Sequence, residues 1–493
     1  MEMFNPEPNP GLRQADFHKV CDNGFGDRYN GYAYSMAWFK DRLYVGTSRA
    51  NLCLLKFAMP FVTMDFWPVE CPYPNYTPEF EHNCARGEIW AYNPPLDEWE
   101  RVYQAPLITD AEEVEFSRDL GYRGMVVFQG ESDPESALYV STWSRSRGDG
   151  PDILRSEDGK NFVTTPKPRF KTQGKEITVT AIRSLVPFKG KLYTAPVGAA
   201  KGNVNASGIS LVYETRDPAK GEWRCVNEPG FGGLPDVATI YEMAVLGDYL
   251  YAGTGGMSGF QIWRTQAEGE PPYHWEKVLT NGAGRGALNQ GAASMIAFKD
   301  ALYIGTGIQN GGYDHRNKIG PGASEIVRLY LDNSWDIVVG NPRDNKHSLS
   351  GLYAGFNNFF CGYLWRMGIH DGWLYAGTMD WSLILQYTKL EERPLKAAHL
   401  IAAGGVENFV QYQGGCELWR TYDGENWLPV TRRGFDNPYN YGIRNIVSTP
   451  YGLFIGTANP FGPKVAIKTP KKWEWTYEDN PRGGLEIWQG VIN

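Results

Sequence analysis

Arginine is the residue type whose spacing first suggests chemistry in this 493-residue chain. Arg123, Arg183 and Arg444 each stand two residues before the apolar centre of a short strand-like phrase, and four further copies hold Tyr34, Tyr241, Trp365 and Ala293 at that place. Guanidinium groups gathered with phenols form a concave site for a carboxylate, a phosphate or the charge on a departing group, because a planar guanidinium offers paired donors and stays charged. Arg123, Arg183, Arg444, Tyr34 and Tyr241 are therefore the expected catalytic groups. Tyr32, Tyr363 and Tyr441 lie in the approaches to these phrases and, with Trp365 and Glu242, are the expected substrate contacts. The competing reading is that each Arg pairs with a loop carboxylate and only ties neighbouring elements together.

The elements that position these residues are visible as repeats. FKDRLYVGT (39–47), FKGKLYTAP (188–196), LGDYLYAGT (246–254), FKDALYIGT (298–306), HDGWLYAGT (370–378) and TPYGLFIGT (449–457) share one pattern, and ESALYVSTW (135–143) is a degenerate seventh copy. Each follows a short apolar strand, with Lys-Asp, Lys-Gly, Gly-Asp or Asp-Gly at many of the junctions, as a tight hairpin requires. A third strand is predicted at phrases such as EIWAY (88–92), QIWRT (261–265), ELWRT (417–421) and EIWQG (486–490), and a fourth at phrases such as DEWERVY (97–103) and ENWLPVT (426–432). Seven three-strand sets meet only six downstream fourth strands, and DFHKVCDNGFGD (16–27) resembles the missing one with its exit. The predicted fold is an all-β, seven-bladed propeller of four-stranded blades, a single domain over 1–493. Blades span about 31–490, and residues 16–21 complete the last blade, so that no sheet edge is left open.

Trp90, Trp263, Trp419 and Trp488 recur at one register of the third strand, and Trp99, Trp223, Trp275, Trp335 and Trp427 at one register of the fourth. Recurrence in nearly every blade assigns them to packing. The connections from second to third strand, and from blade to blade, hold the irregular sequence and place the site on their face of the disc. Long insertions are expected there at 48–87, 340–361 and 379–415. They bring Phe61, Phe66, Trp67, Tyr73, Tyr76, Tyr353, Phe356, Phe359, Phe360 and Trp381, an apolar rim suited to an aryl, alkyl or sugar ligand.

Net charge of −8 and the absence of a Lys/Arg run argue against nucleic-acid partners, and no apolar stretch is long enough to span a membrane. With no signal-peptide pattern in the given chain, the expectation is a soluble, cytoplasmic protein acting on a small molecule. No organic-cofactor motif occurs. Asp314, Asp380, Glu242 and Glu325 offer oxygen ligands for a structural calcium or magnesium ion, but without the spacing of a known calcium loop. The seven cysteines form no metal-site spacing; free thiols are expected, except that Cys53, Cys71 and Cys84 share one insertion and could be bridged there. His82 and His315 are the histidines on mouth-side insertions.

SEDGKNF (156–162) and TYDGENW (421–427) resemble shortened Asp-box turns, and the repeats as a whole resemble those of Kelch-type and Asp-box propellers. Arg and Tyr around an aromatic mouth resemble the propeller domain of cylindrocyclophane-type alkylating enzymes, in which Arg and Tyr engage the halide of an alkyl chloride while a phenol-like nucleophile attacks. That resemblance implies a bacterial transferase of specialised metabolism, alkylating a small aromatic or alkyl substrate as halide departs. A sialidase-like glycosidase is the first alternative, drawing on the same Asp-box turns and three arginines. It would need a Tyr with an acidic partner, and in a regular strand the side chains of Tyr241 and Glu242 would point apart. The second alternative is a non-catalytic propeller that binds protein or glycan.

Overall fold

The structure, a computed structural model, describes residues 9–58, 64–144, 150–198, 208–233, 239–315, 317–389, 405–468 and 474–492. Phe61 and the 390–404 part of the 379–415 insertion lie outside the described residues.

Seven antiparallel ladders follow one another along the chain. Their inner strands are Asn30–Phe39, Asp119–Phe128, Ala181–Phe188, Thr239–Leu246, Gly291–Phe298, Cys361–His370 and Gly442–Thr449. Each returns into an antiparallel second strand, through a tight turn except in blade two, where residues 129–136 connect Phe128 to Ala137; the first pair meets at Phe39 and Arg42. Lys40 and Asp41 sit at φ 45° and 58°, the left-handed conformation that a two-residue hairpin imposes on both central positions. Each inner strand packs against that of the next blade, and the seventh against the first, which closes a ring. Closure uses the N-terminal segment as expected: Phe17–Cys21 pairs with Ile487–Gly490, with Phe17 opposite Gly490 and Cys21 opposite Ile487.

The Thr of the repeated Gly-Thr pair has a structural task. Its Oγ1 accepts the backbone N–H that opens the third strand, as from Glu88 to Thr47, Glu325 to Thr306, Glu417 to Thr378 and Glu486 to Thr457. Those four glutamates are buried, and side-chain amides or indoles satisfy their carboxylates. Asn30 and Trp90 donate to Glu88, and Asn440 and Trp488 to Glu486. A buried carboxylate is tolerable only with such donors.

Between blades, the recurrent Trp residues receive a Phe from the preceding exit. Phe25, Phe231, Phe356 and Phe435 stack on Trp90, Trp263, Trp419 and Trp488 with ring centroids 4.7, 4.6, 4.6 and 4.6 Å apart. All four Phe residues have positive φ, between 54° and 62°, set by the tight turn that ends each outer strand. In blade five the third strand has Val327 at the Trp register, and the preceding exit has Ala283 in place of Phe. Loss of one ring accompanies loss of the other.

The two Asp-box-like turns are local caps. Asp158 accepts from the backbone of Lys160 and Asn161, and Asp423 from Glu425 and Asn426. These donors favour the ionised form, and they hold the Asp423 carboxyl down to about 2 against the opposing effect of burial. On the opposite, loop-rich face, Phe66 of the first insertion stacks on Trp475 at 5.4 Å, Val69 bridges to Val465, and Lys464 pairs with Glu70 at 2.8 Å. A disulfide joins Cys53 and Cys71 within that insertion, while Cys21, Cys84, Cys225, Cys361 and Cys416 are free.

Candidate functional site

The pairing of every inner strand with its neighbour slips at the same place. The slip falls between Ala33 and Ser35, Tyr122 and Gly124, Ile240 and Glu242, Ala292 and Ser294, Leu364 and Arg366, and Ile443 and Asn445. In blade three it falls between Ile182 and Leu185. The skipped positions are Tyr34, Arg123, Tyr241, Ala293, Trp365 and Arg444, with Arg183 and Ser184 in blade three. The register picked out from sequence is thus a ring of β-bulges. A bulge bends its strand and re-aims a side chain, so the strict alternation expected at Tyr241 and Glu242 does not apply.

The carbonyls beside the bulges are taken up by the adjacent blade. Ser35 Oγ donates to the Tyr122 carbonyl at 2.8 Å, Ser294 Oγ to Leu364 at 2.9 Å and Asn445 Nδ2 to Ala33 at 2.5 Å. Blade two exchanges the partners: Gly124 stands where the others have a polar residue, and Ser141 opposite it donates to the Ile182 carbonyl at 3.0 Å. There is room for only one side chain in each such pair. A Cβ on Gly46 would lie 2.6 Å from Ser35 Oγ, and one on Gly124 would lie 2.7 Å from Ser141 Oγ.

Arg444 lies over the rings of Tyr34 at 4.9 Å and Trp365 at 5.2 Å, Arg123 over Tyr34 at 5.7 Å, and Arg183 over Tyr241 at 4.4 Å. Tyr32 joins the same surface, edge-on to Tyr34 and Trp365 at 6.1 and 5.8 Å, and its hydroxyl shares a hydrogen bond with that of Tyr441. Tyr363 packs on Trp365 at 6.1 Å. All ten residues expected from sequence are therefore on or beside one lining, with Ala293 as its small member.

Burial holds Arg123 and Arg444 down to about 10, opposed by the neighbouring Tyr34; Arg183 adds to the depression at Arg123, and Arg366, Arg123 and Arg183 add to it at Arg444. Both stay cationic at neutral pH. Like charges that feel one another in a buried cluster favour an anion among them. The Arg444 Nε has no hydrogen-bond partner among the described residues. Burial raises the phenols, Tyr32 to about 12 and Tyr241, Tyr363 and Tyr441 in the same direction, so they offer donors rather than bases.

One residue past two of the bulges, Glu242 of blade four and Arg366 of blade six form an ion pair at 3.1 Å. Sequence reasoning passed over Arg366 as well as Trp143, which meets Tyr34 edge-on at 6.3 Å. The partner of Arg366 lies two blades away and that of Trp143 in the neighbouring blade, and neither relation has a fixed offset in sequence. The other carboxylates considered as oxygen ligands are held by protein donors. Gln290 and Asn317 donate to Asp314, Ser382 and Asn358 to Asp380, and Asn289, Asn341 and Arg343 to Glu325. His82 and His315 are exposed.

No protein-family model matches the sequence, and no curated protein matches it. Solved structures with similar chain folding include the GH74 xyloglucanase of Xanthomonas campestris, at 12% identity and a TM-score of 0.42, covering 94% of this chain and 56% of that one. A polysaccharide lyase, Uly1, aligns at 9% identity and a TM-score of 0.45, over 94% of this chain and 90% of its own. The Penicillium chrysogenum α-L-arabinanase aligns at 10% identity and 0.38, over 74% and 93%. The chain thus spans little more than half the length of the xyloglucanase. These likenesses concern the fold. They correct the expected alkylation in specialised metabolism: the similar structures named here are a xyloglucanase, an arabinanase and a polysaccharide lyase, and the resemblance to alkylating propellers is not upheld.

Proposed function

We propose that the loop-side end of the central channel recognises a carboxylate-bearing saccharide. The observation that carries this reading is the ring of bulges, which turns Arg123, Arg183 and Arg444 toward one lining together with Tyr34, Tyr241 and Trp365. Clustered guanidinium groups supply paired donors and charge for a carboxylate. The ring faces suit the C–H face of a pyranose, and protonated phenols suit its hydroxyls. Trp365 and Tyr34 are already occupied on one side by Arg444, which places charge and apolar surface within reach of one ligand.

The test is calorimetric titration with galacturonate and glucuronate beside galactose and glucose, on the parent protein and on Arg444→Met. The uronates should bind more tightly than their neutral counterparts. Arg444→Met should lower uronate affinity by roughly 1.5–3 kcal/mol, the range of a charge-assisted hydrogen bond, while leaving the fold intact. Equal affinity for charged and neutral sugars, or an unaltered affinity in the variant, refutes the reading.

A further inference from the structure

A cavity of about 630 Å³ opens on the same loop-rich face, lined by residues of the connections at 285–288, 321–323 and 341–359. Tyr353 and Leu288 present their apolar surfaces there with 60% and 40% exposure. Phe359 completes the apolar side.

The polar groups around it are held in fixed orientation. Asn357 Oδ1 accepts the Tyr353 N–H at 2.8 Å, so the amide nitrogen of Asn357 is the group left over, with no protein partner among the described residues. Arg285 is tied to the Ala323 carbonyl at 2.7 Å and lies 3.5 Å from Glu325. The turn that carries Tyr353 and Asn357 is anchored from below, because Phe356 between them is buried and stacked on Trp419. Gly355 is required at that turn: it has φ 69°, and a Cβ there would meet the Ala323 Cβ at 2.9 Å. Glu325 is shared by Arg285 at 3.5 Å and Arg343 at 2.9 Å, so the cavity combines an aromatic platform with an amide donor and a cationic wall. That chemistry suits a polyhydroxylated ring, uronate rings included.

Buried aromatic packing runs from the cavity wall to the residues of the Arg and Tyr cluster. Phe359 packs on Trp381 at 5.9 Å and on Phe360 at 5.5 Å, and this cluster continues to Tyr363 and Tyr241. We infer that the cavity is a second sugar subsite, taking a further ring of the chain whose carboxylated ring occupies the channel. The inference deepens the proposed function and rests on it for the identity of the ligand.

The experiment compares galacturonate with galacturonan, alginate and chondroitin oligosaccharides fractionated by length, by calorimetry on the full chain. In the parent, at least one oligosaccharide series should gain affinity with length over its monosaccharide. Tyr353→Ala should remove that gain, about three- to tenfold, and leave monosaccharide affinity unchanged, while Tyr353→Phe should retain it. Arg444→Met should weaken both monosaccharide and oligosaccharide. If length brings no gain, or Tyr353→Ala leaves the gain intact while Arg444→Met still weakens binding, the second subsite is wrong and the channel reading stands. If Arg444→Met is without effect, the channel reading fails. Absence of any binding overturns both.

Discussion

Glu242 and Arg366 meet at 3.1 Å although their strands belong to the fourth and sixth blades of the ring. The fifth blade, between them, carries Ala293 and Ser294 at the matching positions. Arg366 is also one of the cations that depress Arg444, so Glu242 neutralises a charge that would otherwise add to the channel. Replacing Glu242 by Gln should therefore raise the affinity of the channel for a uronate, and the gain should shrink in high salt as added charge is screened. Stability should fall by about 1 kcal/mol, since Arg366 is 38% exposed and its half of the pair is partly solvated. Titration at two salt concentrations and thermal melting check both effects; unchanged affinity at low salt means that the pair is uncoupled from the channel.

Removing residues 1–27 should abolish cooperative folding. The deletion takes away Phe17–Cys21, which forms the outer strand of the last blade, and Phe25, which stacks on Trp90 of the first. It leaves Ile487–Gly490 as an open edge. Circular dichroism with thermal melting reads the outcome, and a truncated protein that melts as the parent does would count against closure by this strand.

Phe356→Ala should cost roughly 3–5 kcal/mol, the usual loss for emptying a buried aromatic site, with Trp427→Ala and Trp263→Ala in the same range. Phe356 is buried against both Trp419 and Trp427, at 4.6 and 5.5 Å. In a double-mutant cycle, Phe356→Ala and Trp419→Ala should couple by about 0.5–1.5 kcal/mol. Additive losses in denaturant melts would remove the paired-ring account.

Asp380 and Glu417 should make the protein less stable as pH rises from about 4 to about 8. Burial raises Asp380 to about 6 and Glu417 to about 7, and the two share the amide of Asn358. An acid whose folded-state value lies above its unfolded value binds its proton more tightly when folded. Its stabilising contribution is complete below the unfolded value and is lost as pH rises through the folded one. Denaturant melts of Asp380→Asn and the parent should converge below about pH 4, diverge between about 4 and about 6 and stay apart above that, with the variant the more stable by a few kcal/mol. A pH-independent difference would show that Asp380 does not change its ionisation on folding.

Asp423→Ala should show the opposite dependence. Its carboxyl is held down to about 2, so its contribution is present above the ordinary carboxylate range and fades as pH falls toward that value. The variant should lose about 1 kcal/mol near neutral pH, as turn-capping groups do, and approach the parent in acid. Equal stability at pH 7 would show that the cap is dispensable.

Periodicity along the chain determined much of this protein. Apolar alternation, the Gly-Thr phrase and the recurrent Trp residues assign the strands, and the missing fourth strand identifies Phe17–Cys21 as the closing one. The Arg, Tyr and Trp register was legible for the same reason: equivalent positions of a repeat occupy equivalent places in a ring. Tertiary structure decided what repetition cannot encode. The extra residue at each bulge is invisible in an apolar pattern, because it appears only when two strands are paired, and it alone re-aims Tyr241 relative to Glu242. The partner of Glu242 lies two blades away, the pairing of Cys53 with Cys71 rather than Cys84 depends on how one insertion folds back, and the cavity beside Tyr353 is assembled from three separate connections. In each case the deciding distance runs through space between segments with no common period, and only the folded chain brings them together.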